Sequence, residues 1–346
     1  MDLKSNVNGA WLSTSKALPA PPFATGAPVF AASLSNAAAF AFTDPVGGGT
    51  LIATVDAAGA WNSPARLALS AVGMTACMNA LVLGGLRLPD GELAVACVEQ
   101  DALLWSVALP RSGRWIHGPF PACAGEEVYA VWVTLDDDKA MLWSARVTKG
   151  VLNSLASVEL EAQPLEMDVT SDGDAPLAVW TGGARLGVSA ARVTAGSLPV
   201  FQGLEGGASP RWMRTPDGGL AWIAVSPKGL RAQRISSELA PSGAQSELGE
   251  GFAPLLVTQG HGMAALLARG ARAYAGTVTF PLSVPREERV YAAGAWIAEL
   301  NTASLKLSRH APLTSFGRYL AAAFTPDTFL VIHGDASPQL TAFALA

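Results

Sequence analysis

The chain has 346 residues, half of them apolar and 15% charged, with a formal net charge of −5. That composition supplies a large core and excludes a disordered chain. The 23 Lys and Arg residues form no basic run that would neutralise phosphates, which sets nucleic acid aside as a partner.

From its start, the sequence MDLKSNVNGAWLSTSKALPAPPFATGAP lacks the continuous apolar core of a signal peptide. No stretch approaches the ~18 uninterrupted apolar residues of a membrane helix. Cys77, Cys97 and Cys123 form no C-x-x-C pair, and an odd, sparse count suits a reducing compartment. All three read as small buried hydrophobes. The expectation is a cytoplasmic protein with no membrane partner.

In chain order, seven strand-length segments share small, β-branched and aromatic residues: AAFAFTD (38–44), ELAVACV (92–98), VYAVWVT (128–134), PLAVWTG (176–182), GLAWIAV (219–225), GMAALLA (262–268) and YLAAAFT (319–325). Each is apolar on both faces, as a strand covered by sheets on either side must be. A second strand-like segment follows each: TLIATVD, ALLWSVA, AMLWSAR, LGVSAAR, LRAQRIS, RAYAGTV and FLVIHGD. The turns between them carry residues for which bends and positive φ are cheap, such as Pro45 to Gly49, Asp136 to Asp138 and Pro227-Lys228-Gly229. The period runs between roughly 36 and 57 residues, bracketing the ~40–50 of propeller blades. Long runs with apolar residues at i, i+3, i+4 and i+7 are absent, which argues against a helical solenoid.

A lone four-stranded sheet cannot bury both faces, whereas sheets stacked radially can. The predicted fold is therefore all-β, a β-propeller of about seven four-stranded blades. Residues 1–26 read as an N-terminal segment with a closing strand, and 27–346 as a single propeller domain. Either Ala10 to Ser13 or the tail Leu340 to Ala346 is expected to supply the closing outer strand, with Pro19 to Pro22 as an extended link. The intervals from the first to the second repeat and from the sixth to the seventh are long enough to hold an inserted hairpin or an irregular blade. The stretch Val290 to His310, containing VYAAGAWIAEL, fits no repeat.

The units ending in Arg146, Arg192 and Arg234 resemble the degenerate repeats of bacterial β-propellers. Thr215-Pro216-Asp217-Gly218-Gly219-Leu220-Ala221-Trp222 resembles the Asp box of sialidase-like propellers, [ST]-x-D-x-G-x-x-W. In that family the Asp closes a hairpin between the third and fourth strands of a blade and the Trp packs between blades. This turn instead precedes the first apolar strand of a unit. Pro89-Asp90-Gly91-Glu92 and Ser171-Asp172-Gly173-Asp174 match loosely, and the repeated Gly-His…Trp-Asp signature of WD40 repeats is missing.

Signatures of chemistry are sparse. Asp136-Asp137-Asp138 is contiguous, whereas a Ca²⁺ loop alternates its ligands around a Gly, so the run reads as a solvated hairpin tip and no metal is expected. His117, His261, His310 and His333 lack the spacing of zinc ligands. No G-x-S-x-G elbow and no phosphate-cradling glycine loop is present, so no cofactor is expected and no catalytic residue is assigned. The four tyrosines read as core, as do Trp105, Trp132, Trp143, Trp180 and Trp222, while Trp11, Trp61, Trp115, Trp212 and Trp296 are less constrained.

Propeller ligands meet loops at one end of the axis. The expected binding face gathers Glu99, Asp101, Glu126, Asp136, Asp137, Arg185, Lys228 and Arg269, an acidic rim with three cations. The first functional reading is a soluble binding or scaffold protein that presents this face to a protein or peptide. The alternatives are an enzyme (lyase, hydrolase or cyclase) with residues around the axis, and a glycan-binding lectin; either would take a small molecule or sugar. Turns that differ from blade to blade speak against the lectin.

Overall fold

A computed structural model describes residues 15–20, 30–99, 102–171, 175–182, 187–193, 200–203, 207–215, 217, 219–259, 263–269, 272–278, 286–292, 295–313, 319–326, 328–334 and 338–344. Their strands form seven four-stranded antiparallel sheets and one separate two-stranded hairpin. No helix among the described residues is long and apolar enough to cross a membrane. The first strands of the sheets are Phe30–Ser33, Leu69–Cys77, Arg114–Ala124, Pro164–Ser171, Ala208–Arg214, Phe252–Gln259 and Tyr319–Phe324, and neighbouring ones pack against each other around a ring. The chain is a seven-bladed β-propeller, with blades numbered here in that order.

Ring closure joins the two ends of the chain. Tyr319–Phe324, Thr328–Gly334 and Gln339–Ala344 build the inner three strands of blade 7, and Ser15–Leu18 adds the fourth by pairing antiparallel with Gln339–Ala344. The closing strand thus lies just beyond Ala10 to Ser13, which falls outside the described residues. The expected tail segment forms the third strand. Trp61 of blade 1 donates its Nε1–H to the Pro19 carbonyl at 3.1 Å and fastens the end of this strand to the next blade.

Among the described residues the core forms seven hydrophobic clusters, one at each interface between blades. This arrangement follows from the apolar runs: Ala38–Thr43, Glu127–Asp136, Pro176–Gly182 and Leu220–Ser226 are the second strands of blades 1, 3, 4 and 5, buried along nearly their whole length. A second strand has a blade on each side, so neither of its faces meets water. Trp132, Trp222 and Trp296 are among the largest fully buried side chains, and each Å² of apolar surface they remove from water contributes roughly 25 cal/mol. Trp132 stacks on its cross-strand partner Trp143, with ring centroids 6.0 Å apart and planes 9° apart.

The repeat register differs from the sequence expectation in three blades. In blade 2, ELAVACV is the third strand; the second is Ala80–Arg87, ALVLGGLR. Its Gly84-Gly85 pair looks like a turn, but a Cβ on Gly84 would lie 2.0 Å from the carbonyl oxygen of Pro119 in blade 3. The glycines admit a neighbouring main chain. In blade 6, Met263–Arg269 pairs directly with Ala295–Asn301 from the unplaced stretch, and Arg272–Val278 and Arg286–Ala292 form the inserted hairpin. In blade 7, YLAAAFT is the innermost strand. The long interval near the sixth repeat is therefore an insertion. The one after the first repeat arises because consecutive matches fall on different strands.

The Asp-box-like turn links the first and second strands of blade 5. Asp217 Oδ1 accepts hydrogen bonds from Thr215 Oγ1 at 2.5 Å and from the Gly219 N–H at 3.3 Å, while Arg234 Nη1 lies 2.9 Å from Oδ2. Trp222 packs between blades 4 and 5. The motif's two jobs are done, at a different corner of the blade. Arg192 and Arg234 also share a role. Each reaches from the third strand of its blade to a carbonyl in the outer turn of the next, Ser237 at 3.3 Å and Ala303 at 2.8 Å.

Candidate functional site: the axial channel

The seven first strands enclose a cavity of about 560 Å³ on the ring axis. Apolar side chains such as Phe30, Met74, Phe120, Met167, Leu255 and Leu256 line it, yet more than half of its accessible surface is polar. Two charged side chains interrupt it, Asp168 on blade 4 and Arg211 on blade 5. Asp168 Oδ2 accepts the main-chain N–H of Trp212 at 2.9 Å, bridging the two blades. Arg211 Nη1 donates to the Pro210 carbonyl at 2.8 Å. Among the described residues no salt bridge joins Arg211 to Asp168, and the other guanidinium N–H groups have no protein acceptor.

Asp168 lies deep in the ring but faces the channel, so it keeps some exposure while far from bulk water. Loss of hydration raises its carboxyl above the ordinary value, against the pull of the Arg211 charge and of the Trp212 and Val169 N–H groups. A partly desolvated carboxylate near an underused guanidinium in a concave channel is a polar anchor of the kind that orients a ligand.

A second cavity of about 330 Å³ opens where the first strands of blades 3, 4 and 5 end. Cys123, Gly125, Thr170, Ser171 and Arg214 line it, and Trp212 borders both cavities. Ser171 Oγ donates to the Cys123 carbonyl, and Arg214 Nε and Nη2 donate to the Ser171 carbonyl at 3.0 and 2.5 Å. This chain of bonds ties three blades together at the rim.

Consecutive antiparallel strands put the turns between first and second and between third and fourth strands at one end of the ring. Turns between second and third strands share the other end with the links between blades. The residues expected on one face are thereby divided. Glu99, at the end of the third strand of blade 2, and Glu126, in the first turn of blade 3, lie at one end. Asp136 and Asp137, Lys228 and the strand-terminal Arg269 lie at the other. Asp101 and Arg185 fall outside the described residues.

None of the six described ones lines either cavity; Glu126 comes nearest in the chain, beside Gly125. Asp136 accepts a bond from Ser112 Oγ at 3.2 Å, and Asp137 and Asp138 are exposed with φ of 44° and 68°, a solvent-facing hairpin tip. Lys228 is exposed, its N–H bonded to Ser226 Oγ at 3.2 Å. No group of three His, Cys, Asp or Glu side chains among the described residues is placed to hold a metal ion. Of the histidines, His117 Nε2 meets the Pro164 carbonyl at 2.8 Å, and burial lowers the pKa of His333, which pairs with Thr341 Oγ1 at 2.9 Å. His261 lies outside the described residues.

No protein-family model matches the chain, and no curated protein resembles it in sequence. Solved structures do match. A Kuenenia stuttgartiensis hydrazine synthase chain superposes with a TM-score of 0.63 at 10% identity, covering 95% of this chain and 97% of that one. Virginiamycin B lyase from Staphylococcus aureus gives 0.59 at 10% identity, with 96% and 99% covered. The WD40 domain of Toxoplasma gondii coronin gives 0.57 at 11% identity, with 96% and 86% covered. The likeness is one of fold. It spans a WD40 domain, a synthase chain and a lyase alike, so function has to be argued from the site.

Proposed function

We propose that the chain is a binding protein whose axial channel receives a segment of a peptide or protein partner. The observation that carries this reading is that Arg211 and Asp168 are the two charged side chains in a cavity of about 560 Å³ whose wall mixes polar and apolar surface. Arg211 offers free donors and Asp168 an acceptor. A peptide unit answers both, its carbonyl to Arg211 and its N–H to Asp168, while a mixture of polar main chain and apolar side chains suits the mixed remainder of the wall. The volume lies within the ~300–1,000 Å³ typical of ligand sites. Three free cysteines accord with a cytoplasmic setting for this role.

The test is calorimetric titration of short apolar peptides, blocked at both ends, into the full chain and into Arg211→Met and Asp168→Asn. Binding that weakens about tenfold or more in Arg211→Met, with an unchanged melting midpoint, is expected from loss of a charge-assisted hydrogen bond. No binding across the panel, or equal binding by both variants, would sink the reading. A second reading rests on Asp168 alone. A carboxyl of raised pKa in a concave site is suited to proton transfer, which would make the channel an active site.

A further inference from the structure

Exposed apolar surface is concentrated at one place on this ring. Of eight large hydrophobic residues exposed among the described ones, five lie on the outermost strands of two adjacent blades: Leu103 and Leu104 on blade 2, and Val151, Leu152 and Leu155 on blade 3. These strands are Ala102–Ala108, ALLWSVA, and Val151–Leu160, VLNSLASVEL. They adjoin, since a Cβ on Gly150, just before the second strand, would lie 2.9 Å from Cβ of Trp105 on the first.

An outermost strand presents a row of unpaired N–H and C=O groups, and natural sheets blunt such edges with shortness, charge or proline. The other described outer strands follow that rule. Those of blades 1, 4 and 7 have three, four and four residues. Those of blades 5 and 6, PSGAQSELG and KLSRHAPL, carry proline and charge. Val151–Leu160 is ten residues long, and its only charge is Glu159 near the end.

We infer that a second copy of this chain covers this edge, its Val151–Leu160 strand running antiparallel to the first across a two-fold axis. Charge selects that partner. Lys149 stands exposed just before the strand and Glu159 exposed near its finish, so an antiparallel copy brings each lysine to the other's glutamate. Glu159 already holds Lys139 in an exposed ion pair at 2.9 Å, and a carboxylate can accept a second cation. The uncharged middle of the strand then meets itself, removing Leu152 and Leu155 from water.

Sedimentation velocity of the full chain from about 1 to about 100 μM spans the range in which such an interface would form and dissociate. The expected result is a reversible monomer–dimer equilibrium. Leu152→Lys/Leu155→Lys should stay monomeric with a cooperative melting transition, because both side chains are partly exposed in the monomer. Lys149→Glu, a surface change that spares the fold, should weaken the dimer several-fold at low salt and less at high salt. The inference is overturned by a monomer at every concentration, by assemblies that grow beyond the dimer, or by a dimer that both variants leave intact.

Discussion

Asp168 on blade 4 accepts the main-chain N–H of Trp212 on blade 5, 2.9 Å away, and so joins two blades at the wall of the axial channel. Replacing Asp168 by Ala leaves that N–H without its acceptor and should cost about 1–3 kcal/mol, read as a lower melting midpoint, while Asn keeps an acceptor and should cost less. The pH dependence has a definite sign. The folded carboxyl binds its proton more tightly than the unfolded one, whose ordinary value is 3.8. Stability from this group is therefore full below pH 3.8 and declines as pH rises through the elevated folded value. Asp168→Asn should gain on the wild type across that rise; a constant difference between the two would contradict the assignment.

Asp217 behaves in the opposite way. Hydrogen bonds from Thr215 and Arg234 hold its carboxyl down, to about 2. Its contribution is present above the unfolded value and lost as pH falls through about 2. Asp217→Asn should melt below the wild type at pH 7 and converge with it in strong acid, provided the wild type still shows a cooperative transition there.

Gly84 marks a contact that no other residue tolerates. A Cβ there would lie 2.0 Å from the Pro119 carbonyl oxygen, so Gly84→Ala has to push blades 2 and 3 apart or bend the inner strand of blade 3. A cost of about 1–3 kcal/mol is expected from overpacking of this kind. Gly91→Ala, on a turn where a Cβ would meet nothing within 4 Å, is the comparison in thermal melts, its own cost confined to a φ of 70°. Equal destabilisation by the two would show that the blades do not meet as described.

Removal of residues 1–20 takes away Ser15–Leu18, the described N-terminal strand of blade 7. The ring is then open and Gln339–Ala344 becomes an edge. A sharply lower melting midpoint is expected, and an unchanged one would mean that the ring holds without its closing strand.

The fold was legible because second strands are apolar on both faces. VYAVWVT and PLAVWTG announce themselves by composition, and their recurrence implies radial stacking. The innermost strands were not legible. RWIHGPFPACA carries two prolines and register shifts around His117, and PLEMDVTS alternates polar and apolar residues without an obvious partner. Since the channel is lined by those strands, Asp168 and Arg211 escaped notice. Each is a charged residue in the middle of a short segment just ahead of an apolar run, where an inner strand must lie, but Glu166 and Arg214 on the same strands stay off the channel wall, so charge alone does not single the two out. The expected rim residues were chosen from turns. Their division between two ends follows from reading ELAVACV as the start of a blade rather than its third strand, and from adding Glu126 from a first turn.

Hydrogen–deuterium exchange on the full chain, with and without a blocked apolar peptide, locates the binding site. Binding in the axial channel slows exchange in the inner strands Pro164–Ser171 and Ala208–Arg214, which carry Asp168 and Arg211, and leaves the outer turns at Asp136–Lys139 and Ser226–Gly229 unaffected. Protection confined to those outer turns would contradict it and return the binding site to the rim.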